Sequence, residues 1–493
     1  MKRKIFRFSV LFALTLVAVL GLVIVVPAFA NGGIIYVDTN GNDVFGTNSA
    51  TYTDNEPIGL LGAEDTGPWL TIQHAIDQAA SGDTINVAEG TYAGPLNLNG
   101  KSLDIIGAGI DTTFIDASAS TDYAIKNLGD STAISNLTLK GSSNYGFKVS
   151  QVSNINFESV KVINSGKTAF DLNTVDGANL NNIEAVDTVA GFGLMILDSN
   201  NINISNITTS GNAWGGVSVQ TKNAPSSLIS FSGTFNAQEE IPLLLEQDPS
   251  GDPPTYYPIT GVDIPSQFGY AVYALRAPDN YKQTFYRETL DDAKALALSL
   301  VATGPFSYSD KAIFDVAEEN YYVIEGTNIQ DAINAATAGD TINVAAGTYN
   351  ENIIIDEAVI LLGAQHDVDP VGSTDRTGES IINGGQVEIT AGATFNGFKV
   401  SGNRIYIHGA DGATVSYNIL EGVTTTHGAI TNYQAVETYI GYNTISGAIG
   451  HGIMTMESDD VIIEYNHILD CTQSGIEAVY HVGTGIVISH NTI

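Results

Sequence analysis

Short apolar runs of Ile, Val, Leu and Phe alternate with Gly, Asn, Ser and Asp along most of the chain. In the segments that contain these runs, apolar and polar positions alternate, which is typical of short β-strands that bury one face. Two segments instead place apolar residues three and four positions apart, the spacing of an amphipathic helix. They open two similar stretches, residues 72–92 and 329–349, in which 15 of 21 residues match. Each stretch predicts a short helix, a strand and a turn, and marks the start of a repeated unit.

The ends of these helices are also indicated. Thr71 and Asn328 occupy the N-cap positions, and we expect Gly82 and Gly339 to end the helices. A third amphipathic helix is predicted at residues 290–301, with Thr289 as its N-cap.

A shorter period follows each repeated start. In the first half it is marked by residues 23, 23 and 24 positions apart, which are Asn136, Ser159, Asn182 and Asn206. In the second half the steps are 25, 23 and 25, between Asn418, Asn443, Asn466 and Asn491. Periods of this length are typical of solenoids.

Each period holds several short strands and no room for a ten-residue helix. The pattern therefore predicts an all-β solenoid made of two consecutive right-handed parallel β-helices, each with a short N-terminal capping helix. Equivalent asparagines on neighbouring coils would then hydrogen-bond as a ladder. The leucine-rich repeat is the alternative, but the inward positions here are mostly Ile, Val, Phe and Gly.

The chain divides into four predicted regions. Residues 1–30, with a basic start, an apolar run and Ala28-Phe29-Ala30, are typical of a signal peptide, with an uncleaved anchor as the alternative. Residues 31–224 form the first β-helix with its cap. Residues 225–325, where the period lapses and proline is frequent, form a small α/β linker or cap module. Residues 326–493 form the second β-helix, which we expect to be truncated because Ile493 lies inside a strand motif.

The net charge limits which partners the protein can bind, and the cysteine content limits its disulfides. The net charge of −35 repels nucleic acid and anionic membranes. It suits divalent cations, so Ca²⁺ is a possible ligand although no cofactor motif is found, and it disfavours a strongly anionic glycan unless Ca²⁺ bridges. The single cysteine, Cys471, excludes an intrachain disulfide and is expected to be a small buried residue of a coil. These features favour a secreted or cell-surface protein.

The start of the mature chain carries a family resemblance. The stretch IYVDTNGNDVFG (residues 35–46), followed by WLTIQHAI and GDTINVAEGTY, resembles secreted bacterial proteins of the pectin-lyase-like, right-handed β-helix superfamily. The later I-x-x-N-x-I motifs are similar to carbohydrate-binding and sugar-hydrolase β-helix repeats. The resemblance implies the fold and a polysaccharide partner, while the superfamily includes several enzyme classes and proteins without catalysis.

Two segments of the chain resemble catalytic motifs of the superfamily's enzymes. Polygalacturonases pair aspartates with a Gly-His-Gly, which resembles His451 between two glycines and the pair Asp459 and Asp460, although here the aspartates follow the histidine. The segment Gly347-Thr348-Tyr349-Asn350-Glu351 fits a pectin methylesterase motif, but it reads as structural in this fold.

Stacking of coils predicts one more constellation. If Gly428, Gly452 and Gly475 share a register, His427 lies below His451. The rows that follow are then Tyr433, Glu457 and Tyr480, and, one residue further, Gln434, Ser458 and His481. Such a face would bind sugar, catalyse acid/base chemistry through His451 and Glu457, or hold a transition metal between the two histidines. The structural alternative is that these side chains simply stack at coil turns.

Two functions follow from this reading. The first is binding of extracellular or cell-wall polysaccharide, or adhesion, with Tyr433, Tyr480 and His481 in the binding face. The second is a polysaccharide-degrading enzyme, a hydrolase or lyase, with its site on the second β-helix.

Overall fold

The computed structural model describes residues 33–41, 43, 68–300, 307–373, 376–481 and 485–493. The predicted signal peptide lies outside these residues. Within them the helices are Ile72–Gln78, Leu290–Ser299 and Ile329–Ala335, and strands make up most of the rest. None of these helices has the length and apolar character needed to span a bilayer. The described chain is an all-β solenoid, as the sequence predicted.

Strands in the first half build one long parallel sheet, because each coil adds one strand beside the previous one. In order across the sheet these strands are Ile34–Val37, Thr84–Val87, Asp104–Gly107, Ala133–Lys140, Ser153–Ile163, Asp176–Val186, Asn200–Ser210, Ser226–Ala237 and Ile259–Val262. Strand Gly90–Ala93 pairs with Thr113–Asp116, which pairs with the end of Ala133–Lys140. The parallel ladder thus extends past residue 224, where the sequence predicted the linker to start.

A second sheet, the bridging sheet, runs through both halves of the molecule. Its strands, in order of pairing, are Leu96–Asn97, Ile125–Lys126, Phe147–Ser150, Phe170–Asn173, Phe192–Leu197, Gly215–Thr221, Leu243–Gln247, Tyr281–Arg287, Tyr270–Ala277, Ser307–Asp315, Asn320–Val323, Thr341–Val344, Ile360–Leu362, Thr394–Asn396, Thr414–Ser416, Tyr439–Gly441, Ile462–Glu464 and Val487–Ser489. Pairing is parallel up to strand Leu243–Gln247 and again from strand Asn320–Val323 onward. From the first of these strands to the second, neighbouring strands pair antiparallel. The segment between the two solenoid stretches therefore joins them by continuous backbone hydrogen bonds.

Two further parallel sheets complete the coils of the second half. One contains Gly347–Tyr349, Ser380–Asn383, Phe398–Ser401, Ile419–Glu421, Thr444–Ser446 and His467–Leu469. The other, called here the fourth sheet, contains Ile353–Ile355, Val387–Ile389, Ile405–His408, Gly428–Tyr433, His451–Met456 and Ile476–Val479. Alternate residues of these strands point inward, and the inward ones form a core that extends from Ala312 to Ile468. A separate core extends from Val37 to Tyr286 in the first half.

The predicted period marks coil bends, but differently in the two halves. In the first half Asn136, Ser159, Asn182 and Asn206 all have positive φ, between 51° and 58°. Asparagine tolerates this left-handed conformation better than most residues, so these side chains turn the long strands from one face to the next.

In the second half the asparagines form the predicted ladder, in which Asn418, Asn443 and Asn466 are buried and Asn491 is half-buried. The side-chain amide of Asn418 donates to Asn443 Oδ1, that of Asn443 to Asn466 Oδ1, and that of Asn466 to Asn491 Oδ1, each at 3.0 Å. The ladder is confirmed here. Its residues carry no positive φ, because the preceding residue takes the left-handed conformation instead.

These preceding residues form an aromatic column that the sequence analysis did not identify. Tyr417, Tyr442, Tyr465 and His490 stack with ring centroids 4.7–4.9 Å apart and ring planes within 11° of parallel. The recurring Tyr or His before each period-marking Asn was the available signal. Because each ring covers the face of the next, the column exposes ring edges along its length, so it stabilises coil stacking rather than offering open faces to a ligand.

The repeated helices begin as predicted, with one exception. Thr71 Oγ1 accepts a hydrogen bond from His74 N at 3.3 Å. Asn328 occupies the N-cap position but makes no side-chain cap bond. The carboxylate of Glu351, from the following coil, accepts bonds from Ile329 N and Gln330 N at 2.8 and 3.1 Å instead. The Gly-x-Tyr-x-Glu motif thus has a structural role in capping this helix.

The two repeated helices end a few residues before the glycines that were predicted to stop them. The helices end at Gln78 and Ala335, and Gly82 and Gly339 take φ of 97° and 98° in the turns that follow. The third helix begins as predicted, because Thr289 Oγ1 accepts from Asp292 N at 3.1 Å.

A buried carboxylate in the second repeated helix gives a pH prediction. Burial raises the pKa of Asp331 from 3.8 to about 6, and its Oδ2 accepts a hydrogen bond from Lys311 N at 2.8 Å. Between the ordinary pKa of 3.8 and the folded-state pKa of about 6, the folded chain keeps a proton on Asp331 that the unfolded chain has lost. The free energy of unfolding therefore falls as pH rises through this range. We expect Asp331→Asn to be more stable than wild type by about 2–3 kcal/mol at about pH 8, and equal to it near pH 3.5.

Urea denaturation of both proteins at the two pH values measures this difference. Glu351, whose pKa is also raised by burial, is present in both proteins, so its own desolvation is common to the two denaturation curves. A variant less stable than wild type at the higher pH would show that the ionised carboxylate is stabilising.

Candidate functional site

An open depression lies at one corner of the second solenoid, where three strands of the fourth sheet end. It has a volume of ≈ 590 Å³ and is lined by Gln434, Glu457, Asp459, Tyr480 and His481. Four of these five residues belong to rows that the sequence analysis had proposed, and Asp459 was proposed separately. The structure therefore brings together Glu457, Asp459, Tyr480 and His481.

The row facing this depression contains Glu457 and Tyr480 as predicted, but on the Gly428 coil it is shifted by one residue. Gly428 pairs with His451, not with Gly452, and Tyr433 consequently pairs with Met456. The residues at equivalent positions are Gln434, Glu457 and Tyr480, with φ of 52°, 52° and 59°. The predicted placement of Tyr433 in this row was wrong, because the glycines do not mark one register.

Tyr433 is engaged elsewhere. Its ring stacks on that of His408 with centroids 5.5 Å apart, and His408 stacks on Tyr406. This short aromatic row lies on the outer side of the fourth sheet, since residues that alternate with Tyr433 point into the core.

The positive φ at each corner residue turns its side chain out of the coil. Gln434 Nε2 donates to Glu457 Oε2 at 2.8 Å, which fixes that carboxylate between coils. The Tyr480 ring is not held in this way, and the residue is 76% exposed. An exposed ring beside carboxylates and an amide offers both an apolar face and hydrogen-bonding groups.

Buried polar contacts below the corner hold the base of the depression. Ser458 is 1% exposed, and its Oγ donates to Met456 O at 2.9 Å and accepts from Ala435 N at 3.2 Å. His481 contacts the preceding coil through both ring nitrogens, Nε2 with Thr455 O at 3.1 Å and Nδ1 with Ser458 O. With its ring nitrogens engaged by backbone carbonyls, His481 shapes the depression rather than offering a free base.

Asp460, the other member of the aspartate pair, lies at the next bend with φ of 52° and is exposed. The carboxylates of Glu457 and Asp459 line the depression, so it has negative potential.

His451 lies at the opposite end of its strand from Glu457. The strand His451–Met456 has six residues, so about 20 Å separates the two ends. His451 Nε2 lies 2.7 Å from Glu477 Oε2 on the next coil, a close contact whose geometry is not that of an aligned hydrogen bond. Its Nδ1 is buried without a partner among the described residues. The structure therefore separates His451 from the other predicted catalytic side chains.

Glu477 was missed by the sequence analysis. It occupies the strand position opposite Met454, and the alternation of Ile476–Val479 could have placed it facing outward beside His451.

The predicted histidine pair is not formed. His451 N donates to His427 O at 3.2 Å, but Gly428 is the residue that pairs with His451, so His427 is offset by one position. Among the described residues no group of three or more His, Cys, Asp or Glu side chains is arranged to hold a metal ion. Cys471 is only partly buried, packing against the second core, and burial raises its pKa.

Comparison with known proteins addresses the fold. Residues 370–493 match the family model described as a right handed beta helix region. No curated protein matches the chain in sequence.

Three solved structures illustrate how distant the similar chains are. The A-module of mannuronan C-5 epimerase AlgE6 from Azotobacter vinelandii is 13% identical, with 86% of this chain and 94% of that chain covered and a TM-score of 0.27. The GH87 alpha-1,3-glucanase catalytic unit from Streptomyces thermodiastaticus strain HF3-3 is 11% identical, with 84% and 66% covered and a TM-score of 0.28. The alginate lyase from Paenibacillus sp. str. FPU-7 is 12% identical, with 86% and 96% covered and a TM-score of 0.18.

The family match and the stacked parallel coils on several faces agree with each other. The described chain is an all-β solenoid of stacked parallel coils, and its residues 370–493 are similar to the right handed beta helix region.

Proposed function

We propose that the protein binds a neutral polysaccharide at the corner depression of the second solenoid. The observation that carries this proposal is the 76% exposed ring of Tyr480 above a depression lined by an amide and carboxylates. Sugar rings stack their apolar C–H faces on aromatic side chains, while their hydroxyls donate to carboxylates and accept from amides. Gln434 and Glu457 supply both kinds of hydrogen-bonding group.

Charge favours a neutral glycan over an acidic one. Glu457 and Asp459 both line the depression, and the whole chain carries a net charge of −35. A uronate chain would meet like charges here unless a divalent cation such as Ca²⁺ bridged them. The predicted signal peptide supports an action outside the cell, at a cell wall or extracellular matrix.

The distance between His451 and Glu457 supports binding over catalysis. General acid/base hydrolysis of a glycosidic bond needs two groups that flank the scissile bond about 5–10 Å apart. Here His451 lies about 20 Å from Glu457 along its strand. Of the two His451 ring nitrogens, Nδ1 is buried and Nε2 lies 2.7 Å from Glu477 Oε2.

The alternative is a polysaccharide-degrading enzyme centred on His451 and Glu477. The 2.7 Å contact favours it, since a carboxylate beside a histidine orients the imidazole. Reducing or unsaturated ends released by wild type but not by His451→Ala would establish this function in place of simple binding.

Substitution of Tyr480 tests the binding proposal. We expect wild type to be retained saturably on at least one glycan in a panel of neutral and acidic polysaccharides, with and without Ca²⁺. Tyr480→Ala is expected to weaken this binding about tenfold, because stacking on one aromatic ring contributes about 1.5 kcal/mol. Affinity electrophoresis or calorimetry provides the measurement.

Trp214 provides a matched control, since it is 55% exposed and lies in the first half of the chain. Trp214→Ala should bind the same glycan as wild type. Equal binding by wild type and Tyr480→Ala, or no retention on any glycan of the panel, would rule out this site as the binding face.

A further inference from the structure

A second cavity lies where the first solenoid meets the helix Leu290–Ser299. Its volume is ≈ 470 Å³, which is the size of a small-molecule site. One wall comes from the segment that follows strand Ser226–Ala237, and the other from the helix and from the end of strand Tyr281–Arg287. This cavity is remote in the chain from the corner depression.

Arg287 lines this cavity with an incompletely satisfied guanidinium. The residue is 6% exposed. Within the described part of the chain its guanidinium makes one hydrogen bond, from Nη1 to Tyr286 O at 2.9 Å, and no ion pair. A guanidinium has five N–H donors, and an arginine this buried is normally paired with an anion. The other N–H groups of the guanidinium have no acceptor among the described residues and are open to the cavity.

Carboxylates surround the same cavity. They belong to Glu239, Glu240, Glu288 and Asp292. Burial lowers the pKa of Arg287, while the charges of Glu240 and Asp292 act in the opposite direction, so both carboxylates lie within electrostatic range of the guanidinium.

Some of these carboxylates already have partners. Glu239 accepts from Asn212 Nδ2 at 2.6 Å and from Thr209 Oγ1 at 2.7 Å, and Asp292 accepts from Thr289 Oγ1 at 2.6 Å. Glu240 is exposed at the rim. Glu239 and Asp292 are therefore held by other groups, and among the described residues no carboxylate forms an ion pair with the arginine.

The charge pattern selects the class of ligand. A simple anion would reach Arg287 but would be repelled by four carboxylates, and a simple cation would leave Arg287 unpaired. A ligand with one negative and one positive group satisfies both requirements, because guanidinium–carboxylate pairs are bidentate and an ammonium donates to carboxylates.

We propose that this cavity binds a free α-amino acid, with its carboxylate on Arg287 and its ammonium facing Glu240 and Asp292. The site is independent of glycan binding at the second solenoid.

Calorimetry of the purified protein with each of the twenty L-amino acids tests the proposal. At least one amino acid should bind saturably. Its analogue without the amino group and its analogue without the carboxyl group should each bind at least about tenfold more weakly, since a hydrogen bond to a charged group contributes that factor or more. The absence of binding by all twenty, or equal binding of an analogue, would overturn the proposal.

Substitutions test whether the amino acid binds in this cavity. Arg287→Gln should weaken binding about tenfold or more, whereas Arg404→Gln, which removes one guanidinium from the second solenoid, should not. Glu240→Gln provides a variant whose folding is not at risk, because the side chain is exposed. It should weaken binding of the amino acid without changing the melting temperature. Unchanged binding in both Arg287→Gln and Glu240→Gln would place the ligand elsewhere.

Discussion

Asn443→Ala is expected to destabilise the second solenoid by about 3–5 kcal/mol. Asn443 is fully buried, and its side chain bridges three coils. Its Oδ1 accepts from both the backbone and the side-chain nitrogen of Asn418 at 3.0 Å, and its Nδ2 donates to Val415 O at 2.9 Å. Alanine would leave all three groups buried without these partners, and each such group costs about 1–3 kcal/mol.

Hydrogen–deuterium exchange at strands Thr414–Ser416 and Tyr439–Gly441 measures the effect locally, since a solenoid need not unfold in one transition. Asn203→Ala is the control. Asn203 also hydrogen-bonds between coils, to Asn179 and Ser230, but it is exposed, so its loss should change stability by no more than about 0.5 kcal/mol. Similar effects of the two substitutions would show that burial does not determine the strength of the ladder.

Gly385→Ala is expected to cost about 4 kcal/mol or to prevent the neighbouring coils from closing. A Cβ at Gly385 would lie 1.6 Å from Glu351 O and 2.6 Å from Glu351 C, both backbone atoms of the preceding coil. Backbone cannot move aside as a side chain can, so the spacing between the coils must increase. The cap that Glu351 provides to helix Ile329–Ala335 would be displaced with it.

The adjacent glycine is the matched control for this substitution. Gly384 has φ of 74° and no atom within 4 Å of an added Cβ. Gly384→Ala should therefore cost only the left-handed conformation, about 1–2 kcal/mol. Urea denaturation followed by circular dichroism compares the two variants. A larger loss for Gly384→Ala than for Gly385→Ala would mean that backbone conformation, not coil spacing, limits this turn.

Periodicity was sufficient to predict the solenoid and its buried asparagine ladder. Strand alternation and the 23- to 25-residue spacing of Asn418, Asn443 and Asn466 depend on the local chain alone. Helix starts were also predictable at Thr71 and Thr289, because a cap involves residues three positions apart. At Asn328 the same reasoning failed, since the capping carboxylate comes from Glu351 in the next coil.

The candidate site was predictable in part. Glu457, Asp459, Tyr480 and His481 do share one corner, but Tyr433 belongs to a different row and His451 lies at the far end of its strand. A one-residue change of register moves a side chain to the other face of a strand. Aligning glycines could not fix this register, because the bends lie at Gln434, Glu457 and Tyr480 instead.

The sequence by itself determined the coil period, the strand alternation and the two repeated helices, because each follows from the spacing of residues along the chain. Only the tertiary structure decided how the coils align, that one sheet continues through antiparallel strands between the two solenoid stretches, and that Arg287 faces a cavity. These features depend on pairing between residues that are far apart in sequence. The physical reason is that backbone hydrogen bonding and burial select one register among several that the local pattern allows.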